Sequence, residues 1–481
     1  MSDLETTATT LAGDVVGAVV AGGERGRKVV HFGGVPFASA HRFGLPQPPV
    51  PWASLFDATG VGAAAPQRTE GLELVPGMVP ASTSEDCLNA EVWTPAVDGS
   101  RAVLVWIPGG SFRIGGAGLP TYDGRHLAAD GDIVVVGLNY RLGLLGFLCA
   151  PGVPSNLGLR DLLAGMAWVR ANIEHFGGDP SRITVMGESA GAGAIMHLLT
   201  DPSFDVAGAI VLSGSPTMTQ ELSTAVGVAE RVLKLAGVSS ASDLVHRSVD
   251  QLLDLQERAV TDLAATVGMM PFHPWVDGDV VSDAPLRLMV SDGLAPVPLV
   301  VSTTAHEMEL FRAMVPVLRS EYALGMLTLK ARALGLSPES VVAGYAACDN
   351  DLVAAVADLD LQIPASMLVE HHVRRGIPVW HATFTWESAQ HRACHAVDLP
   401  FHFGTLDVAE WREFAAARLP LADRLSRRLR EAWSCFATMG VPSSDPIGDW
   451  PQADSSALVV ELGRDVRVVE NPAQVRLESW R

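Results

Sequence analysis

The sequence predicts an α/β fold: a large, mostly parallel central sheet flanked by helices. Fully apolar β runs recur at 102–107 (AVLVWI), 133–138 (IVVVGL) and 209–212 (AIVL), as expected for strands buried on both faces. Segments with helical spacing lie between them, above all 157–176, so strands alternate with helices as a parallel sheet requires. A third observation places chemistry in that frame. In RITVMGESAGAGAIMHLL (182–199), a short strand at 183–186 runs into Gly187-Glu188-Ser189-Ala190-Gly191, and 192–199 reads as a helix. G-x-S-x-G at a strand-to-helix junction is a nucleophile elbow. It lifts the Ser189 hydroxyl to the top of a sheet, at a helix N-terminus whose dipole and free N–H groups favour a developing negative charge.

Taken in order, residues 13–37 alternate apolar stretches with Gly-rich turns and read as an antiparallel hairpin. Residues 44–52 (GLPQPPVPW) are too rich in proline for a helix and read as an ordered loop. A strand begins near Leu88 and ends by Pro95. The helix over 157–176 stops at Gly177-Gly178. Residues 219–270 and 312–376 are helix-rich by pattern, with a strand at 297–302 between them. A further strand is expected at 378–386, a helix at 424–438, a loop at 442–458 and a terminal hairpin at 457–470. Sheet elements thus recur to the end of the chain. We expect one domain, 1–481, whose helical insertions near 219–270 and 312–376 form a lid or rim.

Composition narrows the function. Hydrophobic content is 48%, enough for an extensive core, and no run of about 18 apolar residues suggests a membrane span. The first twenty residues carry acids and no basic region ahead of an apolar core, so they do not read as a secretory signal. The net charge of −20 disfavours nucleic acid or an anionic membrane as a partner. The five cysteines, Cys87, Cys149, Cys348, Cys394 and Cys435, are scattered and form no C-x-x-C pair. They read as free thiols in a reducing cytoplasm, mostly packed as small hydrophobes.

A serine hydroxyl is a weak nucleophile at neutral pH. It needs a histidine as base and a carboxylate to orient that histidine. In a nucleophile-elbow fold the acid and then the histidine follow the serine in the chain. After 297–302 come His306, Glu307 and Glu309; after 378–386 come His391, His395 and His402. Composition does not choose among them. The oxyanion hole is expected after an earlier strand, and VLVWIPGGSF fits: Pro108-Gly109-Gly110-Ser111-Phe112 follow the strand ending at Ile107. The N–H groups of Gly110, Ser111 and Ala190 are the expected donors.

Here the chain resembles the type-B carboxylesterase family, the group of cholinesterases and para-nitrobenzyl esterases, over nearly its whole length. FGGVPFASAHRF (32–43), SEDCLNAEVWTP (84–95), VWIPGGSF, TYDGRHLA (121–128), NYRLGLLGFL (139–148) and the long 156–192 segment carry the resemblance. LSGS (212–215), PWVDG (274–278) and FATMGVP…WP (436–451) fit too. The resemblance implies an α/β-hydrolase fold and hydrolysis of small-molecule carboxylic esters, with no metal or organic cofactor. It also resolves the triad. STTAHEMELF (302–311) aligns so that Glu307 is the acid, with Glu309 as the alternative, and RACHAVDLPFHFG (392–404) places His395 as the base.

The same resemblance implies supporting roles for Gly109, for Ser213 beside the acid, and for Glu188, a buried structural acid that could tune His395. Phe112 is a candidate acyl-side wall or plain core, and Trp275 a candidate pocket residue. Two structural ion pairs are implied, Arg42 with Glu85 and Arg141 with Asp161. The family's partner for Cys87 falls near Ala65, so Cys87 is expected as a free thiol. The chain departs from the pattern at Pro108, at Ser111 in place of a third glycine, and at Met308 in place of the glycine after the acid. An amidase or carbamate hydrolase would use the same groups. A non-catalytic binding protein of this fold typically lacks the nucleophile. Oligomeric state and acyl preference are not legible.

Overall fold

The computed structural model describes residues 5–23, 26–70, 77–264, 266–268, 270–310, 320–346, 352–388, 392–408 and 419–473. Its strands are β1 (Glu5–Thr10), β2 (Gly13–Gly22), β3 (Arg27–Pro36), β4 (Phe56–Ala58), β5 (Asn89–Thr94), β6 (Arg101–Ile107), β7 (Val134–Leu138) and β8 (Gly178–Glu188). There follow β9 (Gly208–Leu212), β10 (Leu299–Thr304), β11 (Val379–Phe384), β12 (Ser443–Ser444), β13 (Gly448–Asp449), β14 (Leu458–Leu462) and β15 (Val466–Glu470). Among the described residues, all but β12 and β13 join one sheet in the order β1-β2-β3-β5-β7-β6-β8-β9-β10-β11-β14-β15, with β4 beside β2. The run from β7 to β14 is parallel, and antiparallel pairs close both edges. The α/β-hydrolase fold expected from the sequence is the fold observed.

The apolar runs work as two-faced strands. Val103, Val105 and Ile107 of β6 join Val134, Val136, Val185 and Val211 in the core on one face. Leu104 and Trp106 point the other way, with Val135, Met186, Ile210 and Phe384. Helices Leu157–Asn172, Ala190–Leu198 and Ile363–Arg375 cover the first face. The second is covered by Leu399–Phe403 and Leu419–Met439, whose Trp433 is fully buried. Each large side chain so enclosed contributes about 1.5–3 kcal/mol.

Differences from the sequence reading are local. The expected hairpin at 13–37 is β2 and β3, but it gains β1 outside it, which the polar run ETTATT did not announce. β8 begins at Gly178 rather than Ile183, because the chain re-enters the sheet beside Arg101 across a bulge. The helix from Leu157 tightens into a 3-10 turn at Ile173–Phe176 and stops at left-handed Gly177. The 442–458 loop carries the small β12–β13 ribbon. Residues 311–319 and 347–351 of the second helix-rich stretch, and Cys348 with them, lie outside the described residues.

Both implied ion pairs form. Arg141 meets Asp161 through Nε at 2.8 Å and Nη2 at 2.6 Å, with the Arg141 N–H adding a third bond to the same buried acid. Arg42 Nε donates to Glu85 at 2.8 Å and Nη1 to the Val245 carbonyl at 2.7 Å, tying the N-terminal loop to the first helix-rich stretch.

Candidate active site

Because β6, β8, β9, β10 and β11 run parallel, their C-terminal ends share one rim, where side chains from distant segments converge. Ser189 directly follows β8. Its backbone sits at φ 53, ψ −121, a strained conformation for a residue with a side chain. Its N–H donates to the Leu212 carbonyl at 2.9 Å and its carbonyl accepts from Gly193 at 2.8 Å. The helix starting at Ala190 therefore springs straight from the strand, and the Ala190 N–H, in its first turn, has no intrahelical acceptor.

The turn after β6 packs onto this elbow. A Cβ on Gly109 would lie 2.5 Å from the Glu188 carbonyl oxygen and 3.1 Å from Ser189 Cβ, so only glycine lets the two turns approach. Gly110, Ser111 and Phe112 follow at φ 114, 56 and 55. Ser111 thus occupies the left-handed region in which its family position favours glycine. The carbonyl of Gly110 accepts from Arg113 and Ile114, and that of Phe112 from Gly143 at 2.6 Å. Gln67 clamps Gly115 through both its oxygen and its nitrogen at 2.8 Å, and the Tyr140 hydroxyl donates to the Pro108 carbonyl. Among the described residues, the N–H groups of Gly110 and Ser111 donate to no protein acceptor.

On the opposite side of the rim, Glu307 Oε2 is 2.6 Å from His395 Nδ1. Its other oxygen accepts from the Ser213 hydroxyl and the Thr304 N–H, each at 2.7 Å. Glu307 is fully buried, so its charge is held by these three bonds. Ser213 is at φ 46, fixed by a 2.7 Å bond from its N–H to the Ser302 carbonyl. Gln362 donates to the Thr304 and Ala305 carbonyls and so steadies the acid's loop. Glu309 is half-buried on the same turn, its N–H donating to the His306 carbonyl; Glu307 is the residue that meets the ring. Met308 has no positive φ, so the missing glycine there leaves no backbone strain.

The ring's other nitrogen, Nε2, lies 3.2 Å from Glu188 Oε1, next to the elbow serine. Burial pushes His395 down, but Glu188, then the Glu307 hydrogen bond and charge, then Asp398 outweigh it, and the net shift is upward. Burial likewise drives Glu188 up; His395 opposes this, while Asp398 and Glu307 reinforce it. The two groups thus compete for one proton. When Glu188 holds it, the ring loses its strongest upward push.

The comparisons with known proteins fit this geometry. A sequence model described as the carboxylesterase family matches residues 4–323 and 343–480. The chain belongs to the carboxylesterase family. It is 34% identical over 443 residues to the para-nitrobenzyl esterase of Bacillus subtilis, covering 87% of this chain and 88% of that protein. It is 31% identical to the fumonisin B1 esterase of Sphingopyxis macrogoltabida, covering 90% and 83%. A solved para-nitrobenzyl esterase structure superposes with a TM-score of 0.87 at 31% identity, over 99% of both chains. The protein is a serine hydrolase acting on carboxylic ester bonds.

Other candidates in this carboxylesterase fall elsewhere. His391 lies outside the described residues. His306 is half-buried, with Nε2 3.8 Å from Glu387. His402 is fully buried beneath the rim and bonded to Asp398. Phe112 is also fully buried, edge-on to Phe147 at 5.2 Å, and so backs the turn after β6 from within the core. Trp275 is buried, its backbone bonded to Asn156 through both N–H and carbonyl; its indole nitrogen has no partner among the described residues. Gln67, Tyr140 and Gln362 escaped the sequence reading. Each acts through hydrogen bonds to backbone atoms distant in the chain, and such bonds leave no local pattern. Among the described residues, no group of three or more His, Cys, Asp or Glu could hold a metal ion.

Proposed function

We propose that this carboxylesterase cleaves small-molecule esters through an acyl-enzyme on Ser189, with His395 as base and Glu307 as its orienting acid. The observation that carries the reading is the buried 2.6 Å Glu307–His395 bond, set on one rim with a strained elbow serine. Glu307 holds the Nδ1–H tautomer, leaving Nε2 to take the Ser189 proton as Oγ attacks the ester carbonyl. The N–H groups of Gly110, Ser111 and Ala190 receive the oxyanion. His395 then passes the proton to the departing alcohol. Water, activated by the same ring, releases the acid. Gly109, Glu188 and Ser213 support this machinery, and Phe112 packs behind the oxyanion turn.

The names of the relatives, a para-nitrobenzyl esterase and a fumonisin B1 esterase, favour esters over amides as substrates. We also read 1–481 as one domain, since one sheet takes strands from both ends of the chain. A reducing, cytoplasmic setting is consistent with the free thiols at Cys87, Cys149, Cys394 and Cys435. The test is hydrolysis of para-nitrophenyl esters from acetyl to dodecanoyl, alongside a matched anilide and Ser189→Ala. Loss of roughly 10⁴-fold or more in kcat is expected from the substitution, with fluorophosphonate labelling abolished. Full turnover by Ser189→Ala would falsify the mechanism.

A further inference from the structure

A cleft of about 590 Å³ opens between the helix Ile363–Arg375 and the β14–β15 hairpin, with β11 as its floor. Ser189, Glu307 and His395 are not among its walls. The loop before β14 forms one side, and its Ala453 N–H donates to the carbonyl of Val379, the first residue of β11. The cleft thus lies toward the start of that strand, whereas the active-site rim lies at its other end. Its volume falls in the range of about 300–1,000 Å³ usual for small-molecule sites.

Ser366, Val369 and Val373 recur at helical spacing and so share one face of the helix, toward the cleft. With Leu458 from β14, the two valines make the middle of the cleft apolar. At its floor is His381, only 5% exposed. Asn471 fixes the tautomer of this ring. Its Oδ1 accepts from the Ala473 N–H at 3.0 Å, which leaves its Nδ2 to face Ser366 Oγ at 3.2 Å and His381 Nδ1 at 3.3 Å. An amide nitrogen only donates, so Nδ1 accepts, and a neutral ring carries its hydrogen on Nε2. Burial pushes His381 down to about 4, so the ring is neutral at neutral pH. Among the described residues nothing accepts from Nε2, and that atom is not one of those sealed in the core. The Nε2–H is therefore offered to the cleft. A donor held there without an acceptor is unfavourable, and a bound oxygen relieves it.

The mouth decides the charge of the occupant. Glu370 and Asp454 bring two carboxylates to it, and Arg374 brings one cation, which also lies 3.9 Å from Asp292. The Ser456 hydroxyl and N–H hold Asp454 below the usual carboxylate range, so it stays ionised. An anion entering the cleft meets this surplus of negative charge, and a cation meets a donor at the floor. We propose that the cleft is a second binding site, for a small neutral molecule with an apolar body and a carbonyl oxygen. The oxygen accepts from His381 Nε2–H, and the apolar body lies along Val369, Val373 and Leu458. The site is independent of the triad reading above.

The test is hydrogen–deuterium exchange of the full chain with octan-2-one, octanoate and octylammonium, which are similar in length and differ in charge. Octan-2-one should protect the amides of 363–375 and 458–470 in a saturable way. The two charged analogues should bind about tenfold more weakly, because each must give up hydration of its charge. His381→Phe removes the donor and should weaken the ketone by about three- to tenfold. Leu458→Trp places a larger side chain in the cleft from a position that is 42% exposed, so the fold can accept it. It should abolish the protection, and it decides the matter even if His381→Phe folds poorly. Absence of saturable protection by the ketone, charged analogues that bind as tightly, or protection unchanged in both variants overturns the site. Ser189→Ala should keep the protection, so failure of the triad reading and failure of this site are read separately.

Discussion

The two sides of the active-site rim are held in different ways. The elbow and the oxyanion turn, residues 187–193 and 107–112, are shaped by backbone: strand ends, three successive positive φ values and carbonyls tied to neighbouring N–H groups. Glu307 and His395, the proposed acid and base, sit on loops after β10 and β11 and are held chiefly by side chains. Ser213, Thr304 and Gln362 fix Glu307 and its loop, and Glu307 fixes His395. A backbone-built half tolerates no added atoms where its turns touch. A half built from side chains keeps its shape when one bond is removed, and expresses the loss in protonation.

The largest effect is therefore expected on the backbone side. Gly109→Val places a branched side chain where even a Cβ would meet the Glu188 carbonyl at 2.5 Å. The oxyanion turn must then move off the elbow, and displacement of about 1 Å costs roughly 10²-fold in rate. We expect kcat for para-nitrophenyl butyrate to fall by at least that much, with a lower melting temperature. Activity within twofold of wild type would show that the turn is not wedged against Ser189, and would erase the contrast.

Glu188 joins the two halves, since its backbone belongs to β8 and its carboxylate to His395. Among the charged neighbours it is the strongest upward influence on the ring. With Glu188→Gln the ring's value falls. In the proposed mechanism only the unprotonated ring accepts the serine proton, so the acidic limb of kcat/KM should shift to lower pH, by about one unit or more. A limb that stays where it is in the wild type would mean that the Glu188 carboxylate does not act on the ring.

What the sequence discloses follows the same division. The elbow, the oxyanion turn and the apolar strands are contiguous, so their chemistry is written in runs of neighbouring residues. The acid and base were not: residue types alone left Glu307 beside Glu309, and His395 beside His391 and His402. Only the likeness of 302–311 and 392–404 to a family pattern separated them. Bonds that span the fold were beyond reach. Gln67 to Gly115, Gln362 to Thr304 and Trp433 to His402 each join segments whose approach depends on the packed sheet. β1 was missed for a related reason, since its polar, threonine-rich run gains strand character only by pairing with β2.

The smallest expected effect probes what the backbone half stores. Ser111 and Phe112 have nearly the same positive φ, 56 and 55, and neither is glycine. A left-handed residue with a Cβ costs about 1–2 kcal/mol, whereas glycine adds about 0.4–1 kcal/mol of unfolded-state freedom. Ser111 is only partly buried. Ser111→Gly should therefore stabilise the fold by about 0.5–1 kcal/mol, read as a small rise in melting temperature. The same exchange one residue on should have the opposite sign, because Phe112→Gly empties a fully buried ring site and costs about 3–5 kcal/mol. Thermal melts of the two variants decide the matter. If Ser111→Gly also destabilises, the turn carries no releasable strain at that position, and the serine is held there by contacts that its side chain makes.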